Sequence, residues 1–261
     1  MRKAREETGA RFYQRAGFLR LASFALFALA WEIAGRVPIS FAFPTFSDTA
    51  VALLTMIASG ELPRAYVSTL QPLVLGVVLS AVIGVTLGVF CGLWRLAEWI
   101  TIPVFVVLQA APVAALIPLV TFVYGIGLLA KTLAVVILAL PVVVLNAYRA
   151  VGNVNTTLIA MCRSFLGNRR QEIAKVILPD ASPVIFAGLR LGVAAGFVGV
   201  VLAELLITPT GIGDLITFHR SRADYAEMYA TITSIIALST LTLIGLQRIE
   251  VRVFRPEKGG R

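Results

Sequence analysis

Thirty consecutive residues, Ala65 to Trp94, carry no charged side chain. A helix of that length is longer than the ~30 Å hydrocarbon core of a bilayer is thick. After Arg95 and Glu98 a second uncharged run extends from Trp99 to Ala130. Runs of this kind leave no polar face to meet water, so the chain is read as an integral membrane protein and not as a soluble domain. Composition agrees, with 58% apolar and 14% charged residues and a mean hydropathy of +0.88.

The runs resolve into six helical spans, at about 21–37, 65–93, 100–123, 128–148, 184–207 and 228–247. Together they make a transmembrane domain over 21–250, with a basic arm at 1–20 and a short tail at 251–261. The first run follows Arg2, Lys3, Arg5, Arg11, Arg15 and Arg20 as a signal peptide would, but Trp31-Glu32 interrupts its far end and no clean small-residue cleavage site follows. It is read as an uncleaved span. Residues 38–64, with Pro38, Pro44 and Pro63, form an outer connection containing a short surface helix at 46–59 that starts at Ser47 or Asp48. Pro103, Pro112 and Pro118 are expected to kink the third span, and Tyr124-Gly125-Ile126-Gly127 to bend it into the fourth.

The net charge of +9 follows from where the cations stand. With both termini in the cytoplasm, the outer side keeps only Arg36, Arg64, Lys131, Arg220 and Arg222 of the 23 Lys/Arg, which is the positive-inside distribution. No basic and aromatic surface for nucleic acid is visible. Cys91, Cys162 and the single histidine, His219, cannot assemble a zinc-like cluster or an evident disulfide. Gly125-Ile126-Gly127-Leu128-Leu129-Ala130-Lys131-Thr132 is near a phosphate-binding loop, but Ala130 replaces a required glycine and no strand precedes it, so it is read as a decoy.

Gly76, Ser80, Gly84, Gly88 and Gly92 recur every fourth residue, a spacing that lets helices approach closely. Gly188, Gly192, Gly196 and Gly199 repeat the device on the fifth span. For both strips two readings stand: helix packing, or a wall of the solute path. The second assigns a translocation path to Glu204, Gly192, Gly196 and Gly199. Glu204 is the sharpest residue of the chain, because an ionisable group near the outer end of an apolar helix costs several kcal/mol unless it meets water or a partner. It is either a hydrogen-bonded interfacial carboxylate or part of a gate. Residues 208–227 read as a polar outer segment in which His219, Arg220 and Arg222 either meet an anionic solute or a docked protein or, for His219, stand simply as a solvated loop residue.

A polar island at 152–180 reads as two short helices joined by a bend. Leu158, Met161, Cys162, Phe165 and Leu166 make one apolar stripe, with Asn155 or Thr156 as N-cap. Gly167 is expected to supply the left-handed residue that ends the first helix. The second, from about Arg169, is expected to stop near Leu178, since a residue before proline is pushed out of the helical region.

The run Arg163-Ser164 through Ile177-Leu178-Pro179, followed by Pro183 and Ala187-Gly188-Leu189-Arg190-Leu191, resembles the cytoplasmic signature loop of binding-protein-dependent ABC transporter permeases. The likeness is to the nitrate/sulfonate/taurine branch and spans roughly residues 65 to 250. Aligned without gaps, Ala160, Met161 and Cys162 stand where the family carries Glu-Ala-Ala. Leu166 stands where it carries glycine, with Gly167 one place late. The resemblance implies a type I importer permease fold in the cytoplasmic membrane, with a coupling hairpin at 156–178, where Arg163, Ser164, Phe165, Leu166, Gly167, Asn168 and Arg169, and Pro179 just after it, meet an ATPase. It implies no cofactor in this chain, ATP and Mg in the ATPase dimer, a second permease copy (identical or a sister chain), and an extracytoplasmic solute-binding protein. The implied activity is alternating access for a small anion or related metabolite, with no covalent chemistry by this chain.

Two other classes are weighed. An ion- or proton-coupled secondary transporter would use Glu32 and Glu204, yet the central parts of the other spans lack acids. An intramembrane enzyme would need a nucleophile and base at matching depth, and no such pair appears.

Overall fold

The computed structural model describes residues 16–37, 42–207 and 209–254; the basic arm before Ala16 and most of the 251–261 tail lie outside them. Every regular element among the described residues is helical: α1 (Ala16–Arg36), α2 (Phe46–Ala58), α3 (Glu61–Leu93), α4 (Arg95–Ala110), α5 (Val113–Tyr124), α6 (Leu128–Gly152), α7 (Thr156–Ser164), α8 (Arg169–Glu172), α9 (Leu178–Leu206), α10 (Ile212–Arg222) and α11 (Tyr225–Phe254). Four stretches are long and apolar enough to cross a membrane: α3, α6, Arg169–Leu206 and α11, with the α4/α5 pair as up to a fifth. The expected first span falls on α1, an apolar helix of 21 residues outside that count. Trp31 ties it to the bundle, donating to the Pro44 carbonyl at 3.1 Å and meeting the ring of Tyr229 edge-on at 6.1 Å.

The bundle is built around α6, whose apolar window is 56% buried against 28% for α3 and 17% for α11. The two small-residue strips explain why. Gly76, Gly84, Gly88 and Gly92 of α3 face Val135, Val143, Ala147 and Val151 of α6, so the two helices run parallel. A Cβ at Gly88 would lie 2.6 Å from both the Val144 carbonyl oxygen and the Ala147 Cβ. From the other side Gly188, Gly192 and Gly199 of α9 face Asn146, Val143 and Ala134, antiparallel. Ser80 is fully buried on the α3 face. Backbones this close are possible only where side chains are missing, which selects the residue types.

Several boundaries differ from the sequence expectations. The third span is not a kinked helix but two helices bent by 107°. Proline governs the break: Ala111, just before Pro112, is extended at φ −64, ψ 142. Pro103 and Pro118 instead lie inside α4 and α5. The same rule fails at Leu178, which keeps helical angles of φ −65 and ψ −44, so the chain runs on as helix through Pro179. Here Ile173–Ile177 forms a π turn in which the Leu178 N–H reaches back to the Ile173 carbonyl. The widened turn provides the room a proline ring needs against the turn before it. The surface helix α2 is capped by Thr45, whose hydroxyl accepts from the Asp48 N–H at 3.1 Å, rather than by Ser47 or Asp48.

Candidate functional site

At one end of the bundle the polar island forms an elbow. Asn155 caps α7 by accepting from the Thr157 N–H at 2.9 Å, and its own N–H donates to Asp180 on α9 at 3.1 Å. Asn168 and Gln171 make a reciprocal capping box at the start of α8, both bonds 2.9 Å. Glu172 is buried at 4% exposure. It accepts from Arg163 Nε and Nη2, each at 3.2 Å, and from Arg169. These bonds hold its carboxyl below the ordinary range, chiefly through the Arg163 hydrogen bond. Arg163 and Arg169 therefore brace the elbow from within.

The left-handed residue at the bend is Leu166, at φ 56, and not Gly167. The reason for glycine at 167 is space: a Cβ there would lie 2.5 Å from the Cys162 Sγ and 2.7 Å from its carbonyl oxygen. Leu166 thus carries an unfavourable conformation, of about 1–2 kcal/mol, at the position where the signature has glycine. Its side chain stands free at 93% exposure, next to Phe165 at 77% and Met161 at 57%. Phe165 and Met161 border a cavity of about 600 Å³ whose wall also includes Cys162, Gly167 and Pro179. Chemically this is a mainly apolar socket, with Gln171, Lys175 and Asp180 on its wall, on a braced frame continuous through the π turn with α9.

The opposite end holds a buried charge network. Glu204 is 2% exposed and pairs with Lys131 Nζ at 2.8 Å. It also accepts from the Thr69 hydroxyl at 2.9 Å and the Gly213 N–H at 3.0 Å. Lys131 donates further to the Thr210 carbonyl and hydroxyl, both at 3.0 Å. The Ile212 N–H donates to Thr69 at 2.9 Å. Four segments, α3, α6, α9 and the entry to α10, are joined at one carboxylate. Gly211, at φ 94, lies where any side chain would overlap that carboxylate. Of the other candidate path residues, Gly196 abuts Leu73, Val77 and Val135 and Gly199 abuts Ala134 and Val135, while Gly192 borders a small apolar cavity of about 160 Å³ with Ser80. Lys131 was read as a cation of the outer side and Thr69 not singled out. A signal did exist: Lys131 is the sole charge between Glu98 and Arg149, and Glu204 the sole charge between Arg190 and Asp214. Two lone opposite charges in apolar runs have strong reason to meet.

His219 is likewise not a solvated loop residue. It sits on α10, 5% exposed. The glycine-rich decoy follows helix α5 and leads into α6, where its Lys131 is committed to Glu204.

Residues 84–255 match the profile of the family described as binding-protein-dependent transport system inner membrane component. The chain is 28% identical to the putative aliphatic sulfonates transport permease protein SsuC of Bacillus subtilis, over 81% of this chain and 78% of that one. It is 33% identical to the riboflavin transport system permease protein RibX of Chloroflexus aurantiacus, over 57% of this chain and 55% of that one. Among solved structures, an inward-facing form of the MetNI methionine ABC transporter superposes with a TM-score of 0.60 at 20% identity, covering 72% of this chain and 94% of that one.

Proposed function

The chain belongs to the binding-protein-dependent transport system inner membrane component family, and we propose that it is the translocating subunit of an ATP-driven importer of a small sulfonate-like solute, worked through the elbow at 156–178 by a separate ATPase. The observation that carries this reading is the elbow itself. It exposes Met161, Phe165 and Leu166 beside a cavity of about 600 Å³ while Glu172 and the capping box hold its frame rigid. An exposed apolar cluster on a braced support is what a partner surface requires. Because α8 runs through the π turn into α9, displacement of the elbow would be passed to a span packed on the central helix.

In this reading the elbow and both termini face the cytoplasm, and ATP and Mg are bound by the partner dimer. A second permease, identical or a sister chain, completes the path, and an external binding protein delivers solute. Alternating access follows as a population shift between inward-open and outward-open states, biased by the nucleotide state of the ATPase. The Lys131–Glu204–Thr69 junction would secure α10 at the outer end while a path shared with the second permease opens and closes; Gly192, Gly196 and Gly199, expected as its wall, instead pack α9 on α3 and α6. The sulfonate assignment rests on likeness to SsuC, and similarity to a riboflavin permease is why it stays at the level of a small metabolite. The secondary-transporter reading is weaker because both of its acids are occupied: Glu32 by Arg36 at 2.7 Å and the Ser47 N–H at 3.0 Å, and Glu204 by Lys131.

The test is reconstitution with the ATPase and binding protein in vesicles. Arg163→Glu and Gly167→Ile are expected to lower uptake per ATP hydrolysed severalfold. Unchanged uptake in both variants would overturn the proposal.

A further inference from the structure

The end of the bundle opposite the elbow contains a cavity of about 580 Å³ between α2, the start of α3, α10 and the start of α11. Its wall carries Asp48, Glu61, Asp224 and Glu227 against one cation, Arg222. That cation is already engaged, 3.3 Å from Asp224 and stacked over Phe218 at 5.2 Å. In a chain of net charge +9, this is a locally anionic pocket. His219 lines it, and both of its ring nitrogens are buried without a hydrogen-bond partner. Nε2 faces Glu61 at 3.4 Å and Nδ1 faces Asp224 at 3.8 Å.

A neutral imidazole has one donor and one acceptor, whereas an ionised carboxylate only accepts. In either neutral tautomer the lone-pair nitrogen therefore confronts an acceptor, a clash relieved either by protonation of the ring or by a donor group entering beside it. A group rich in N–H donors and positively charged would satisfy that nitrogen and the carboxylate it faces. A metal ion is the wrong occupant: among the described residues no three His, Cys, Asp or Glu converge as a metal would need. Met56, Val51 and Ala226 supply an apolar wall suited to a methylene stem. The volume corresponds to roughly nineteen waters, enough for one aliphatic side-chain-sized group. We propose that this cavity is a binding site for an aliphatic ammonium or guanidinium group. The reading of function above is used only to place it on the external face.

His219 is the only histidine, so its ring is a single reporter in untagged protein held in nanodiscs without ATPase. At constant pH, butylammonium should shift the His219 ring ¹⁵N resonances saturably, and butanol and butyrate should not. Glu61→Gln/Glu227→Gln should weaken that binding by about tenfold or more, and each single change should weaken it less. The absence of a saturable shift, an equal response to butanol, or a ring that responds to acidification alone would overturn the proposal. Tighter binding of a capped Gly-Lys-Gly peptide than of butylammonium would support it with a docked protein's side chain as the source. The reverse order would support it with a free solute as the source. With no ATPase present, a negative result leaves the coupling role of the elbow standing.

Discussion

Replacing Glu204 with glutamine preserves the side chain's shape and removes its charge, leaving Lys131 as an uncompensated ammonium in an apolar bundle. The two side chains are 0% and 5% exposed, with the charges 2.8 Å apart. Breaking such a pair by removing one partner costs about 3–5 kcal/mol. The lower end applies to Glu204→Gln, because Lys131 keeps the Thr210 carbonyl and hydroxyl, both at 3.0 Å. A loss of about 3 kcal/mol lowers the folded-to-unfolded ratio about 150-fold. Lys131→Met should cost more, since it strands a carboxylate held only by Thr69 and Gly213. The double variant Lys131→Met/Glu204→Leu should be less damaged than the sum of the singles. Thr69 can fall back on the Ala65 carbonyl, 3.2 Å away. The Gly213 N–H is then left unpaired, at about 1–3 kcal/mol. Denaturant titration in mixed micelles, followed by tryptophan fluorescence, supplies the four corners of the cycle. If each single variant lies within about 0.5 kcal/mol of wild type, or if the double equals the sum, the network does not hold these helices together.

Leu166→Gly relieves the left-handed leucine and should stabilise the elbow by about 1 kcal/mol, read as slower amide exchange across α7 and α8. Gly88→Val should abolish recovery of folded protein from detergent, because its Cβ would strike α6 backbone at 2.6 Å, while Gly245→Ala, with nothing within 4 Å, should raise stability by about 0.8–1.0 kcal/mol. The elbow should also show a defined acid response. The Glu172 carboxyl is held below its ordinary 4.5, so its contribution is present above that value and is lost as pH falls through the lowered folded value. Exchange protection of α7 and α8 should therefore persist from pH 7 to below 4.5 in wild type and be reduced already at pH 7 in Glu172→Gln.

The elbow shows how far local pattern carries. The apolar stripe, a cap at Asn155 or Thr156 and the position of the bend all follow from residues within one or two turns, and these were legible; the structure decides for Asn155. Which residue at the bend turns left-handed was not. Gly167 is the better candidate on backbone preference, but the approach of Cys162 requires its missing Cβ and leaves the positive φ to Leu166. Leu178 is similar, since the rule that residues before proline leave the helix held at Ala111 and was overridden by the π turn at Ile173–Ile177.

The sequence alone determined that this chain is a bundle of apolar helices, where most of them lie, and that two of them carry strips of small residues. Hydropathy and four-residue spacing are properties of neighbouring residues, and the bilayer and the helix read them directly. Only the tertiary structure decided that both faces close on α6, that Lys131 meets Glu204 across 73 positions of chain, and that His219 is buried among carboxylates. Those outcomes depend on which surfaces of distant segments come together, and that is settled by packing the whole bundle at once.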